Sequence, residues 1–202
     1  MDRRHIGETH EAPRFLGRAV DIYGNLHRAS PLERAEATLH SLAMYARDTA
    51  RIATPVGIIA ISGDDALLHA ITIGEDGAER EGDTSAVRLA CHQLQAWFAG
   101  TLTHFSLPLA PSLTPRGQAL REAMLAIGYG ETVSYGTLAK RAESSARAIG
   151  QACARNPFPI VVPCHRVLDA SGRLGAYSAG EGPATKRWLL DFEQRSWRGL
   201  LL

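Results

Sequence analysis

The densest run of reactive side chains in this 202-residue sequence is Pro163-Cys164-His165-Arg166-Val167, where a thiol, an imidazole and a guanidinium follow one another. A cysteine becomes a strong nucleophile once ionised, and cationic or helix N-terminal surroundings favour the thiolate. Adjacency alone does not make a catalytic pair, because neighbouring side chains of an extended strand leave on opposite faces. Pro163 argues against continued strand. If the chain turns here, a thiol beside an imidazole, a guanidinium and a helix N-terminus is expected to be pushed toward thiolate. A small, inert buried cysteine is the competing reading. Cys91, Cys153 and Cys164 are separated by 62 and 11 residues, so there is no C-x-x-C pair, no disulfide framework and no clustered zinc ligation. Seven of the eight histidines precede residue 105 at wide intervals and read as surface or half-buried imidazoles. Neither a metal nor a cofactor is expected.

Several elements must position that cluster. Residues 134–142 and 144–155 read as two short helices with almost nothing between them, a spacing that suggests helix-turn-helix; two helices packed for purely structural reasons are the alternative. In the second, Arg147, Gln151 and Arg155 fall on one stripe, and nearly everything between them is alanine or glycine. A helix this slim could enter a widened minor groove, which is normally only about 6 Å across. Close packing against another helix would explain the same small residues. Asn156-Pro157-Phe158-Pro159 follows, and Ile160-Val161-Val162 is expected to be a short buried strand leading into Pro163.

Upstream, Thr114-Pro115 opens a helix through Leu120, Met124 and Ile127 that stops at Gly128. Residues 107–113, with two prolines, read as a linker, and residues 84–98 as an amphipathic helix burying Val87, Ala90, Cys91, Leu94 and Trp97. Two β-rich runs, 54–61 and 66–73, are separated by Ser-Gly-Asp-Asp and suggest a hairpin or meander. Ser30-Pro31-Leu32-Glu33 has the form of a capping box, and the apolar spacing after it predicts a helix to about residue 50. Residues 1–29 show no sustained period.

With 45% hydrophobic and 21% charged residues the composition is that of an ordinary globular protein. The apolar runs are far shorter than the ~20 residues of a membrane span. Met1-Asp2-Arg3-Arg4-His5 does not resemble a secretory signal, so an intracellular placement is expected, cytoplasmic, or nuclear in a eukaryote. The net charge of +1 hides an asymmetry: residues 1–110 hold 10 basic against 14 acidic groups, residues 111–202 hold 12 against 7. The second half is where a polyanion would bind.

Taken together, Pro163-Cys164-His165-Arg166-Val167, Arg147-Ala148-Ile149-Gly150, Asn156-Pro157, Gly175-Ala176-Tyr177-Ser178 and Lys186-Arg187-Trp188-Leu189-Leu190 resemble the O6-alkylguanine-DNA alkyltransferase family. The likeness is dense from about 114 to 193 and thin from 54 to 113. It implies an α+β protein: an extension over 1–50, a small sheet-plus-helix domain over 51–110, and a mostly helical domain over 111–202 with the helix-turn-helix and the buried Pro-Cys-His-Arg site. It also implies irreversible, single-turnover transfer of an alkyl group from O6-alkylguanine, with O4-alkylthymine as a second substrate, in duplex DNA to Cys164. Displacement at saturated carbon suits a soft thiolate, and the product thioether offers no carbonyl for water to attack. Base flipping is required, since the alkylated oxygen lies inside the duplex.

By the same resemblance His165 relays the thiol proton through a water and Glu193 holds His165, as in a nucleophile–base–orienter triad. Tyr135 helps rotate the target phosphate and donates to guanine, and Arg147 fills the vacated stack. Asn156 is the hinge between recognition helix and active-site strand. Tyr177, Ser178 and Lys186 belong to the base pocket, and carbonyls of Cys164 and Val167 accept from the guanine amino group. Ala148, Gln151 and Arg155 complete the DNA-facing helix. The partner is double-stranded DNA carrying O6-alkylguanine, met by a monomer without membrane association. Ala179 stands where many relatives have glycine, and residues 181–184 lengthen the following loop. Competing readings are an alkyltransferase-like lesion binder, disfavoured because such proteins lack the cysteine, a cysteine hydrolase, which would need an oxyanion hole, and a plain helix-turn-helix regulator.

Overall fold

A computed structural model describes residues 47–197. Strands β1 (Asp48–Thr54), β2 (Gly57–Gly63) and β3 (Leu68–Ile73) form an antiparallel meander in that order. Thr54 pairs with Gly57 across the two residues Pro55 and Val56, and Gly57, just past them, takes a positive φ (+99°) that glycine adopts without steric cost. The helix expected to about residue 50 does not include Asp48–Ala50, which belong to β1; the rest of that expectation falls outside the described residues. The expected run at 54–61 likewise divides into the end of β1, a turn and β2.

Apolar residues alternate along the strands, so Ile52, Ile59, Ile61, Leu68, Ile71 and Ile73 are buried on one face. Helix α1 (Ser85–Phe98) covers that face with Val87, Ala90, Leu94 and Trp97. The Thr84 side chain does not cap α1. Two carboxylates do so instead, Asp65 Oδ1 accepting from Ser85 N at 2.9 Å and Asp48 Oδ2 of β1 from Asp83 N at 2.6 Å and Thr84 N at 3.1 Å, which stitches the sheet to the positive end of the helix.

Residues 107–113, expected as a linker, run along the edge of β3: Leu68 N donates to Pro108 O and Ala110 N to Leu68 O. Ile71 N donates to Pro157 O at 2.8 Å, so β3 also holds the loop that leads to the thiol. Trp97 of the sheet part packs on Tyr129 and Phe192 of the helical part, and one continuous core runs through both.

Helix α2 (Pro115–Leu125) starts as its sequence dictates, with Thr114 Oγ1 accepting from Gly117 N and proline at the first helical position. Helices α3 (Tyr135–Arg141) and α4 (Ala146–Ala154) are each capped by a serine, Ser134 and Ser145. They form the expected helix pair, with Glu143 in the left-handed region (φ 44°) at the turn. Short strands β4 (Val133–Ser134) and β5 (Val167–Leu168) pair in parallel, and α5 (Pro183–Trp197) closes the fold. No helix among the described residues is long and apolar enough to cross a membrane.

Ile160-Val161-Val162 is not a strand. It is a buried turn in which Val162 N donates to Phe158 O and Ile160 has φ +72°. A β-branched residue in that region stores roughly 1–3 kcal/mol of strain. Burial of Ile160, Val161 and Val162 in the core offsets it. The chain after Asn156 thus enters a turn rather than the expected strand.

Candidate active site

Cys164, His165 and Arg166 form a single 3-10 turn, entered from Pro163 and closed by Val167 N donating to Cys164 O. Three residues per 3-10 turn send successive side chains out about 120° apart. The three groups adjacent in sequence therefore face three different partners.

Cys164 is 3% exposed. Its sulfur accepts from Asn156 Nδ2 at 3.1 Å, and the same amide spans the preceding turn by donating to Val162 O and accepting from Phe158 N. Burial pushes the thiol up from its ordinary pKa, against the Asn156 hydrogen bond and the Lys186 charge, which favour the thiolate. The expectation of a resting thiolate is thereby corrected. The Arg166 guanidinium is turned away from the sulfur, and desolvation prevails, so a base has to remove the proton. Burial also raises Cys91, to about 11, and Cys153, to about 12. Cys153 directs its sulfur at Met124 Sδ, 3.7 Å away, and Cys164 is the one cysteine whose sulfur accepts from a side-chain amide among the described residues.

His165 is fully buried, with Nε2 2.8 Å from Glu193 Oε1. Burial, outweighing the Glu193 carboxylate, lowers its pKa, so the ring is neutral. Burial opposes the charge of Glu193 too, but the hydrogen bonds from His165 and Arg166 and the Arg166 charge hold its carboxyl at about 2. With an ionised carboxylate at Nε2, that nitrogen carries the proton, and Nδ1, buried and without a partner among the described residues, is left basic.

Arg166 grips the same carboxylate two-pronged, Nε to Oε2 at 2.9 Å and Nη2 to Oε1 at 2.8 Å. Its Nη1 donates to Ile127 O, its guanidinium lies 5.6 Å from the Tyr129 ring centre, and Gly130 N completes the shell of Glu193 at 3.1 Å. These partners escaped the sequence reading, in which Gly128-Tyr129-Gly130 marked only a helix stop. The hint was the pair of glycines around an aromatic just upstream of Ser134.

The expected pocket residues divide. Tyr135 and Tyr177 lie near Cys164, a Cβ added at Gly175 would come within 3.9 Å of the Tyr135 ring, and both hydroxyls are held above the ordinary tyrosine pKa by burial. Tyr177 Oη is buried with no hydrogen-bond partner among the described residues. Lys186 is fully buried and donates to Val167 O at 2.6 Å, so it meets the backbone of the cysteine turn rather than open space. Ser178 is exposed.

On α4, Arg147 and Gln151 are exposed, as is Arg155 just past its end; Ala148 is half-buried, its N–H capped by Ser145. A Cβ at Gly150 would meet nothing within 4 Å. Helix packing therefore does not account for glycine at that position.

A buried thiol backed by an imidazole and a carboxylate, next to a helix-turn-helix pair with a slim basic face, defines a nucleophilic-cysteine protein equipped for a large anionic partner. Residues 116–195 match the family model of the 6-O-methylguanine DNA methyltransferase DNA-binding domain. The methylated-DNA–protein-cysteine methyltransferase of Mycobacterium tuberculosis is 40% identical over 150 residues, covering 71% of this chain and 90% of that protein. The constitutive Bacillus subtilis protein of that name is 42% identical over 118 residues, 57% of this chain and 71% of that one. The crystal structure of Mycobacterium tuberculosis OGT in complex with DNA superposes with a TM-score of 0.65 at 38% identity, covering 73% of this chain and 93% of the other. The chain belongs to the methylated-DNA–protein-cysteine methyltransferase family.

Proposed function

We propose that the chain repairs O6-alkylguanine, and by the same chemistry O4-alkylthymine, in duplex DNA by moving the alkyl group onto Cys164, once per molecule. The observation that carries this reading is the cysteine turn: a buried sulfur held by Asn156, followed by a neutral imidazole whose Nε2–H is committed to Glu193 and whose Nδ1 is free. His165 Nδ1 takes the thiol proton through an intervening water, and Glu193 steadies the imidazolium that forms. The sulfur attacks the alkyl carbon, the S–C bond forms as the C–O6 bond breaks, and the proton returns to the departing guanine. The resulting thioether has no route back to thiol, and the protein is spent.

The carbonyls of Cys164 and Val167 each accept one hydrogen bond within the fold and keep a second lone pair for the guanine amino group. Lys186 serves this contact by holding Val167, Tyr135 and Tyr177 flank the ring, and Ser178 lies at the mouth. The base reaches them only if it is flipped, with α4 in the minor groove and Arg147 in the vacated stack. A DNA-repair role puts the protein in the cytoplasm, or in the nucleus of a eukaryote, acting as a monomer.

Intact-protein mass spectrometry after incubation with an O6-methylguanine duplex tests the assignment. One methyl group per chain on Cys164 is expected; Cys164→Ser abolishes transfer while DNA binding stays within about twofold, and Cys153→Ala transfers normally. A label on Cys153, or steady turnover as in a hydrolase, overturns it. Gly150 gives a second test. Gly150→Leu is expected to stabilise the helix by roughly 0.5–1 kcal/mol, since leucine is the better helix former and the space is open. It is also expected to weaken duplex binding at least tenfold in a titration, because the added side chain stands on the DNA-facing surface. A Gly150→Leu variant that binds DNA as well as the parent removes α4 from the groove.

A further inference from the structure

Residues 181–184 lengthen the loop between Ser178 and α5, and the fold turns that extra length into a strap fastened at several points. Gly182 N donates to Ala179 O at 3.1 Å and closes a turn. Gly180 N donates to Ile73 O at 3.2 Å, which ties the strap to the end of β3. Thr185, in the first turn of α5, reaches back to accept from Glu181 N at 2.9 Å, in the manner of an early helical side chain in a capping box. Thr185 is buried, so little solvent is at hand to replace that bond. The packing is equally close: a Cβ built on Gly180 would stand 2.6 Å from Thr185 Oγ1 and 3.1 Å from Ile73 Cγ2, and one built on Gly182 would stand 3.4 Å from Tyr177 O. Consecutive side chains of α5 thus hold two walls of one pocket, Lys186 the cysteine turn through Val167 O and Thr185 the strap.

We propose that Thr185 is a specificity-determining positioning residue: it holds residues 179–182 down on β3 as a fixed rim of the base pocket and so limits the size of the alkyl group that Cys164 accepts. The inference rests on the reading of the chain as an alkyltransferase and adds to it a part for the N-terminal sheet. Thr185 acts through Tyr177. That tyrosine lies near Cys164, and its carbonyl is the atom on which Gly182 closes. A methyl group asks for little room at the sulfur. A larger group requires Tyr177 to move aside, and Tyr177 moves only as the strap lifts from Thr185 and Ile73. Ala179, half-buried against the core, anchors the strap at its start.

The experiment compares the rates of Cys164 alkylation from duplexes carrying O6-methylguanine and O6-benzylguanine for the parent, Thr185→Val and Thr185→Ser, with hydrogen exchange of the parent amides read by NMR alongside. Thr185→Val keeps the volume and removes the acceptor, so the benzyl-to-methyl rate ratio is expected to rise by roughly two- to tenfold, the factor that one hydrogen bond of ordinary strength commands. Thr185→Ser keeps the hydroxyl and is expected to hold the parent ratio. In the parent, the Gly180 and Glu181 amides are expected to exchange more slowly than that of Ser178, which is exposed and makes no backbone hydrogen bond among the described residues. A parent-like ratio in Thr185→Val, or an equal fall of both rates as from a merely loosened fold, overturns the rim while leaving the repair reading in place. Gly180 and Glu181 amides that exchange as fast as Ser178 overturn it as well, a result that stands even where Thr185→Val does not fold. A parent that takes an alkyl group from neither duplex overturns the repair reading and the rim with it.

Discussion

Glu193→Ala is expected to destabilise the protein by about 3–5 kcal/mol, the range found when one partner of a buried ion pair is removed. The substitution strands a guanidinium whose side chain is only 7% exposed and takes the hydrogen bonds of His165 Nε2 and Gly130 N with it. Arg166 cannot turn to solvent, because Nη1 is fixed on Ile127 O and the ring of Tyr129 lies against it. Glu193→Gln, which keeps the shape and one acceptor, should lose less. Urea unfolding reads both, and a Glu193→Ala chain within about 1 kcal/mol of the parent would show that the pair carries little.

The same carboxylate sets an acid limit. Its pKa in the fold is about 2, below the ordinary 4.5, so its contribution is complete above pH 4.5 and disappears as pH falls toward 2. His165, lowered below 6.5 by burial, works in the same direction: the unfolded chain takes up its proton first, so stability falls as pH drops below that value. The parent should therefore lose stability on acidification more steeply than Glu193→Ala does.

The second large effect follows from the reaction itself. The alkylated protein is expected to be less stable than the free one, by about 1–3 kcal/mol for extra carbon in a packed interior and on the order of 2–12 °C in melting temperature. Cys164 has 3% of its surface exposed, and its sulfur touches the amide that ties the Asn156 hinge to Val162 and Phe158. A methyl group on that sulfur has to displace the amide or the tyrosines beside it, and a benzyl group more so. Since the resting sulfur is a neutral thiol, overfilled packing and the broken Asn156 hydrogen bond drive the effect, with little change of charge. Loosening the hinge also loosens α4, so release of repaired DNA should accompany the fall in stability. Thermal unfolding of unmodified, methylated and benzylated protein, with Cys164→Ser treated alike, measures it. Equal melting of the three forms would mean the site has room to spare.

Much of this was legible in the chain. Helix starts are local events, so Thr114-Pro115 announced α2 through a cap that the structure contains, and Ser134 and Ser145 start α3 and α4 in the same way close to the expected bounds. Likeness to a family singled out Cys164, His165 and Glu193, and periodicity found the stripe on α4. Strand and buried turn were not separable in the same way. Asp48–Ala50 became β1 because β2 lies beside them, and Ile160-Val161-Val162, as apolar as any strand, found no partner strand and folded into a turn. The sequence by itself thus determined where helices around the site begin and which residues, Cys164, His165 and Glu193, to look at first. Only the tertiary structure decided what those residues do to one another. Arg166 serves a carboxylate 27 residues away rather than the neighbouring thiol, because the 3-10 turn sends it there. Cys164 rests protonated because its ionisation is governed by the water it has lost, and solvation is a property of the packed volume around a group, which no local pattern of residues encodes.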